Sequence, residues 1–282
     1  MRKITLTIDG FEFTADSSST ILEVALKNGI YIPNLCYHED LKPSSVCRIC
    51  LVEADGRMVT ACNTQVKEKM QVKTETDVID ETRRMIVELL LVNHEQNCLE
   101  CNQSTLCKLQ KVANYVGVNP KRLSRLRAFK DNKAVDSSNP FFDFNPNKCI
   151  LCGVCVRTCD EIATVHAIDF SQRGYGTKIS TFADNRFKDS RCASCGECLT
   201  RCPTGALTIK ERQGISKWAE AICPYCGVGC GLVMGIRGNR IISVKGNRKN
   251  PVNNGQLCVK GRFGLTFVNH PDRLKNPLIR RN

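Results

Sequence analysis

CILCGVCVRTCD, residues 149–160, and CASCGECLTRCP, residues 192–203, decide how this chain is built. Each run spaces its cysteines as C-x2-C-x2-C-x3-C. The first holds Cys149, Cys152, Cys155 and Cys159; the second holds Cys192, Cys195, Cys198 and Cys202, with Pro203 after it. One such run could be accident, but two in tandem point to a pair of iron–sulfur cubanes. A [4Fe–4S] cubane needs four thiolates converging from different directions. Three cysteines two residues apart curl round three irons, a remote fourth closes the cage, and in tandem runs that fourth belongs to the other cluster. The spacing therefore predicts Cys149, Cys152, Cys155 and Cys202 as one ligand set, and Cys192, Cys195, Cys198 and Cys159 as the other. Asp160 follows the first run where Pro203 follows the second, a departure that leaves the ligands intact.

A two-cluster ferredoxin-like domain is accordingly expected over 140–212. Between its runs, Ile168, Phe170 and Ile179 fit a strand pair with Arg173-Gly174 at the bend. Phe141, Phe142 and Phe144 are expected as core around the first cubane. Pro203-Thr204-Gly205-Ala206-Leu207 reads as a turn followed by a strand.

The whole chain has 282 residues and 19 cysteines, room for about two to four small domains. The opening MRKITLTIDG reads as a strand rather than a secretory leader. No apolar run reaches the roughly eighteen residues of a membrane span. These features predict a cytoplasmic protein without direct membrane insertion. Thiols in this number, in a reducing compartment, are there for metal rather than for disulfides. The formal charge of +13 invites a nucleic-acid reading, yet it counts every thiol as neutral. With every thiol ligated and one cubane carrying a histidine, the oxidised clusters contribute about −9 in all, leaving the loaded protein at about +4. Much of the basic excess offsets cluster charge, which undercuts nucleic acid as a partner.

Upstream, ITLTIDGFEFTA (residues 4–15) alternates around Asp9-Gly10, a two-residue hairpin signal. Thr20 and Glu23 form a capping box for a helix that buries Ile21, Val24 and Ala25 and stops at Gly29. Then come Cys36, Cys47, Cys50 and Cys62, spaced C-x10-C-x2-C-x11-C, with a small and polar loop at 42–46. Hairpin, helix and cysteine loop is the order of a β-grasp [2Fe–2S] ferredoxin domain, here 1–77. A four-cysteine zinc site is the alternative, but zinc ligands usually form two close pairs, and this segment has one. Residues 78–93 predict an amphipathic helix with Ile79, Ile86, Leu89 and Leu90 inward. Past it stand His94, Cys98, Cys101 and Cys107 as H-x3-C-x2-C-x5-C. Imidazole suits both iron and zinc; beside other clusters the expectation is a [4Fe–4S] domain, 78–118, with one histidine and three cysteine ligands. Lys121, Arg122, Arg125, Arg127, Lys130 and Lys133 make 119–139 a basic linker or solvated helix face, or else a docking strip for an acidic partner.

The last segment, 219–282, holds Cys223, Cys226 and Cys230 as C-x2-C-x3-C, with Cys258 further on. This is a fourth cubane set, and LVMGI and IISVK across GNR read as a hairpin. Nineteen cysteines and His94 then supply all the ligands of one [2Fe–2S] and four [4Fe–4S] clusters. The fold class is α+β.

These motifs resemble a known family. Residues 1–212 are similar to the N-terminal part of the large iron–sulfur subunit of respiratory NADH dehydrogenase, to the diaphorase iron–sulfur subunit of NAD-linked hydrogenases, and to multimeric iron-only hydrogenases. Residues 219–282, with CPYCGVGC, LCVKGRFG and HPDRLKNPLIR, resemble the opening [4Fe–4S] domain of molybdopterin formate dehydrogenases. The resemblance implies an electron relay between a flavin/NAD(P)(H)-binding diaphorase subunit and a hydrogenase or formate dehydrogenase catalytic subunit, in some complexes with electron bifurcation. It also implies a cofactor-binding role for Lys260, between cluster and pterin. The alternative is an N-terminal fragment of a formate dehydrogenase catalytic subunit, because the family's pterin domains lie beyond Asn282. There is no G-x-G-x-x-G or other nucleotide signature, and no catalytic residue is expected.

Overall fold

In the computed structural model, residues 2–126, 132–210 and 214–280 are described; Arg127 and Lys130 of the basic stretch lie outside them. Asp9 and Gly10 both take left-handed backbone angles, φ 50° and 86°, as a two-residue turn between twisted strands requires. They join β1 (Lys3–Ile8) to β2 (Phe11–Asp16), with Ile8 opposite Phe11. Helix α1 (Ile21–Lys27) begins with the expected reciprocal cap: Thr20 Oγ1 accepts from the Glu23 amide at 3.3 Å, and Glu23 Oε2 accepts from the Thr20 amide at 2.8 Å. Three strands that the sequence did not announce complete this unit: β3 (Leu51–Ala54), β4 (Arg57–Thr60) and β5 (Gln71–Lys73). The five-stranded sheet runs β2-β1-β5-β3-β4, with β1 and β5 parallel. Its core gathers Leu6, Ile8, Ile21, Leu22, Val52 and Val72, each contributing about 1.5–3 kcal/mol by leaving water.

Helix α2 (Asp77–Val92) is capped by Thr76, whose hydroxyl accepts from the Ile79 amide. Its inward face differs from the expected one. Ile79 is buried, Ile86 and Leu90 are partly buried, but Leu89 is 54% exposed, and Arg83, Val87 and Glu88 are buried instead. Each member of the polar pair has partners for part of its polar atoms, while Arg83 Nη1 and Glu88 Oε1 have no hydrogen-bond partner. Arg83 donates to the carbonyls of Ile49 and Leu51, at 3.2 and 2.6 Å. Glu88 pairs with Arg122 at 2.9 Å. Arg122 lies on α4 (Pro120–Leu126), which follows α3 (Lys108–Val116) and its left-handed cap Gly117. So part of the basic stretch is helical, and Arg122, half exposed, pairs with the buried Glu88 of α2.

The following unit opens with β6 (Phe142–Phe144). It continues through α5 (Val154–Arg157), the hairpin β7 (Ile168–Ser171) and β8 (Lys178–Thr181), and α6 (Glu197–Arg201). Its last strand, β9 (Leu207–Ile209), returns to pair antiparallel with β6. Phe142 and Phe144 are buried here with Phe187, and cysteines of both runs line the same core. The C-terminal segment is a three-stranded antiparallel sheet of β10 (Lys217–Ile222), β11 (Gly231–Arg237) and β12 (Arg240–Gly246), followed by α7 (Val259–Phe263). At Gly246 a side chain has no room, since a Cβ would stand 2.1 Å from the Gly255 carbonyl oxygen. No described helix is long and apolar enough to cross a membrane.

Candidate metal centres

All nineteen cysteines are free thiols, and the fold gathers them into sets. The first lies in the loops around β3. Cys36, Cys50 and Cys62 are buried and Cys47 is partly so. The Cys36 thiol is within hydrogen-bonding reach of Cys47 and of Cys62, and those contacts hold its pKa far below the ordinary value. The same contacts push Cys47 and Cys62 up. Ser45, at φ 54°, turns its hydroxyl to 3.5 Å from Cys62 Sγ.

The tandem runs repeat one backbone conformation. Leu151 and Ser194 are left-handed, at φ 53° and 52°, and so are Gly153 and Gly196, at 68° and 76°. This bends each C-x2-C loop so that an amide faces sulfur: Leu151 N donates to Cys149 Sγ and Ser194 N to Cys192 Sγ, both at 3.4 Å. Ala167 N donates to Cys159 Sγ at 3.2 Å. The electrostatics show which thiols are neighbours. Burial pushes the Cys155 thiol well up, and Cys149, Cys152 and Cys202 add to it. Burial likewise pushes Cys198 up, with Cys195, Cys192 and Cys159 adding. Cys155 thus lies near Cys202 and Cys198 of the second run, and Cys198 near Cys159 of the first.

Cys107 is raised by burial, with Cys101 and Cys98 as its charged neighbours. Cys98 is exposed on the surface of this set, and His94 is half-buried just past α2. Cys101 packs so closely on the next unit that a Cβ at Gly205 would stand 2.6 Å from its sulfur. In the C-terminal segment, burial raises Cys230, with Cys223, Cys226 and Cys258 around it. Cys226 and Cys258 are exposed. Lys260 is an exposed residue of α7.

Burial favours the protonated form of thiols such as Cys155 and Cys198. Thiolates crowded in fours are stable only beside cationic metal, which deprotonates them outright. Amides already aimed at sulfur are the hydrogen bonds an iron–sulfur site uses, so the donor set fits such clusters. Among the described residues no group of three or more Cys, His, Asp or Glu side chains is placed as for a single ion. The sets also abut. Cys36 and Cys152 share one buried apolar cluster with Leu41 and Val154, and Cys202 is among the charges felt by Cys198.

Comparison with known proteins matches separate family models to successive stretches of the chain. The family model described as a 2Fe-2S iron-sulfur cluster binding domain matches residues 1–77. The NADH-ubiquinone oxidoreductase-G iron-sulfur binding region matches 83–122, and a 4Fe-4S dicluster domain matches 148–206. The molybdopterin oxidoreductase Fe4S4 domain matches 216–270. A chain in the crystal structure of an NAD+-reducing [NiFe]-hydrogenase in the H2-reduced state superposes with a TM-score of 0.68 at 31% identity, over 76% of this chain and 90% of that one. The chain belongs to this family of iron–sulfur oxidoreductase subunits. The G 2 subunit of NADH-quinone oxidoreductase of Rhizobium meliloti is 36% identical over 99% of this chain and 33% of its own length. The alpha subunit of NADPH-Fe(3+) oxidoreductase of Geobacter sulfurreducens is 36% identical over 98% of this chain and 33% of its own length. The chain thus spans about a third of the length of these curated relatives.

Charged residues around the sets were missed from sequence. Asp40, Glu197, Arg201, Arg248 and Arg262 are each unremarkable in their local pattern. Only the left-handed positions inside the C-x2-C loops had a signal, in Gly153 and Gly196.

Proposed function

We propose that the chain is an electron-relay subunit with one [2Fe–2S] and four [4Fe–4S] clusters. The [2Fe–2S] cluster is held by Cys36, Cys47, Cys50 and Cys62, in a unit read as a β-grasp domain. His94, Cys98, Cys101 and Cys107 hold one cubane. Cys149, Cys152, Cys155 and Cys202 hold the next, Cys192, Cys195, Cys198 and Cys159 a third, and Cys223, Cys226, Cys230 and Cys258 the last. Bound clusters of this kind take up and return single electrons. The polypeptide spaces the ligands, shields them from water and aims amides at sulfur, and the bound metal would keep them deprotonated. The relay would run between a flavin/NAD(P)(H)-binding subunit and a hydrogenase or formate dehydrogenase catalytic subunit. One observation carries the reading: the thiol sets are contiguous, Cys36 packing with Cys152 and Cys155 neighbouring Cys198. A relay needs such adjacency and a set of independent structural metal sites does not. Replacing Cys195 or Cys226 by Ser is expected to reduce visible absorption and slow dye reduction; unchanged values in both variants would contradict the proposal.

The match of 216–270 to a molybdopterin oxidoreductase domain favours a second reading, the front of a larger catalytic polypeptide. Lys260 would then lie between the last cluster and a pterin. Isolating the native complex separates the two: a pterin domain on the same polypeptide favours the second reading, a separate catalytic subunit the first.

A further inference from the structure

Six side chains of alternating charge cross the junction of three units. Arg248 pairs with Glu39 and with Asp40, the latter at 2.8 Å. Arg201 pairs with Asp40 at 2.7 Å and with Glu197. Glu197 in turn pairs with Arg262. The inner end is the most secluded: the Arg201, Glu197 and Arg262 side chains are 4%, 4% and 1% exposed. Glu197 is fully engaged, because its Oε1 also accepts from the Leu257 amide at 2.7 Å.

Arg262 ends this chain of charges against the second cysteine run. Its Nε donates to the Cys195 carbonyl at 2.7 Å. Its stem lies on the cysteine loop so closely that a Cβ at Gly196 would stand 2.5 Å from its Cδ. Nη2 is taken by Glu197. Nη1 is buried and has no protein acceptor. A buried guanidinium nitrogen left without an acceptor costs free energy.

We propose that Arg262 is a redox-tuning residue for the cluster held by Cys192, Cys195, Cys198 and Cys159. Its unpaired Nη1 is the donor kept for that cluster's sulfur, and its charge favours the reduced state. Reduction adds one negative charge, and a buried cation beside it raises the reduction potential. Glu197 holds the guanidinium in place and partly offsets it. The inference rests on the proposed assignment of those four cysteines to one cubane.

The test is a potentiometric titration of the full-length, cluster-loaded protein, followed by electron paramagnetic resonance. Iron and sulfide analysis of each variant accompanies it. The relevant signal is the cubane signal that Cys192→Ala removes. In Arg262→Gln this cluster should lose about tenfold in its equilibrium constant for accepting an electron, about 59 mV. Arg262→Lys keeps the charge and should lose less, and Glu197→Gln should shift the same cluster in the opposite direction. The other clusters should keep their potentials. An Arg262→Gln shift below about twofold, or an equal shift of every cluster, would overturn the proposal. If Arg262→Gln fails to load, the isosteric Glu197→Gln decides, and no rise there overturns it. Failure of the wild type to load iron would overturn the cluster reading itself, and the tuning role with it.

Discussion

Phe263 stacks flat on Phe141, with ring centroids 4.5 Å apart and planes within 5°. One ring belongs to α7 and the other precedes β6, so the contact joins the C-terminal segment to the two-run unit beside Arg262. Phe263→Ala is expected to weaken that junction by about 3 kcal/mol, combining lost apolar burial with a lost aromatic pair. Hydrogen exchange should then quicken across β11, β12 and α7 and stay unchanged in β1 and β2. Uniform protection in both regions would show that the stack does not hold the junction.

Arg83 buries a guanidinium to satisfy the carbonyls of Ile49 and Leu51, either side of Cys50. Burial holds its pKa below the ordinary value, but an arginine so lowered remains charged at neutral pH. Arg83→Met leaves two buried carbonyls without donors, at about 1–3 kcal/mol each. The expected outcome is a lower denaturant midpoint and loss of the visible circular dichroism of the first site, with the cubane signals retained.

Much of this was legible in local sequence, and the failures share a cause. Asp9-Gly10 and the Thr20–Glu23 box encode their geometry within a few residues, and both form as expected. The β3–β4 turn carries the same signal in Asp55-Gly56, at φ 49° and 76°, but the cysteines around it point to metal rather than to strands. β5 pairs with β1 over two residues only, and β9 with β6 across the whole two-run unit; neither pairing is written locally. On α2, periodicity favoured Leu89 over Glu88. Only the distant partners of Arg83 and Glu88 reverse that choice. The cysteine spacing survives because ligand geometry is itself a short-range constraint.

Asp40 links the row of charges across 161 residues to Arg201 and 208 to Arg248. Burial acts to raise its pKa, but Arg201 and Arg248 outweigh this and hold it below the ordinary carboxylate value. A carboxylate lowered on folding stabilises the fold fully above its unfolded pKa, roughly 3.9. That contribution disappears as pH falls through the lower folded value. Proteolytic nicking between the first and C-terminal units should therefore rise below about pH 4 in the wild type. Asp40→Asn should show raised nicking already at pH 7, with a flatter dependence on acid.

Gly205 leaves no space for a methyl group beside Cys101, whose sulfur would be 2.6 Å from an added Cβ. Contacts under van der Waals distance against a constrained sulfur are costly, about 1–3 kcal/mol by overpacking. Gly205→Ala should diminish the signal of the cluster proposed at Cys98, Cys101 and Cys107, leaving the [2Fe–2S] signal at full intensity.

The central claim, as proposed above, is that the cysteine sets of this chain and His94 cage iron and sulfide in clusters. Metal and acid-labile sulfide analysis of the anaerobically purified protein, paired with electron paramagnetic resonance of the reduced state, tests it most directly. The account predicts about 18 iron and about 18 sulfide per chain, one [2Fe–2S] signal and several [4Fe–4S] signals. About five zinc per chain with neither iron nor sulfide would contradict it.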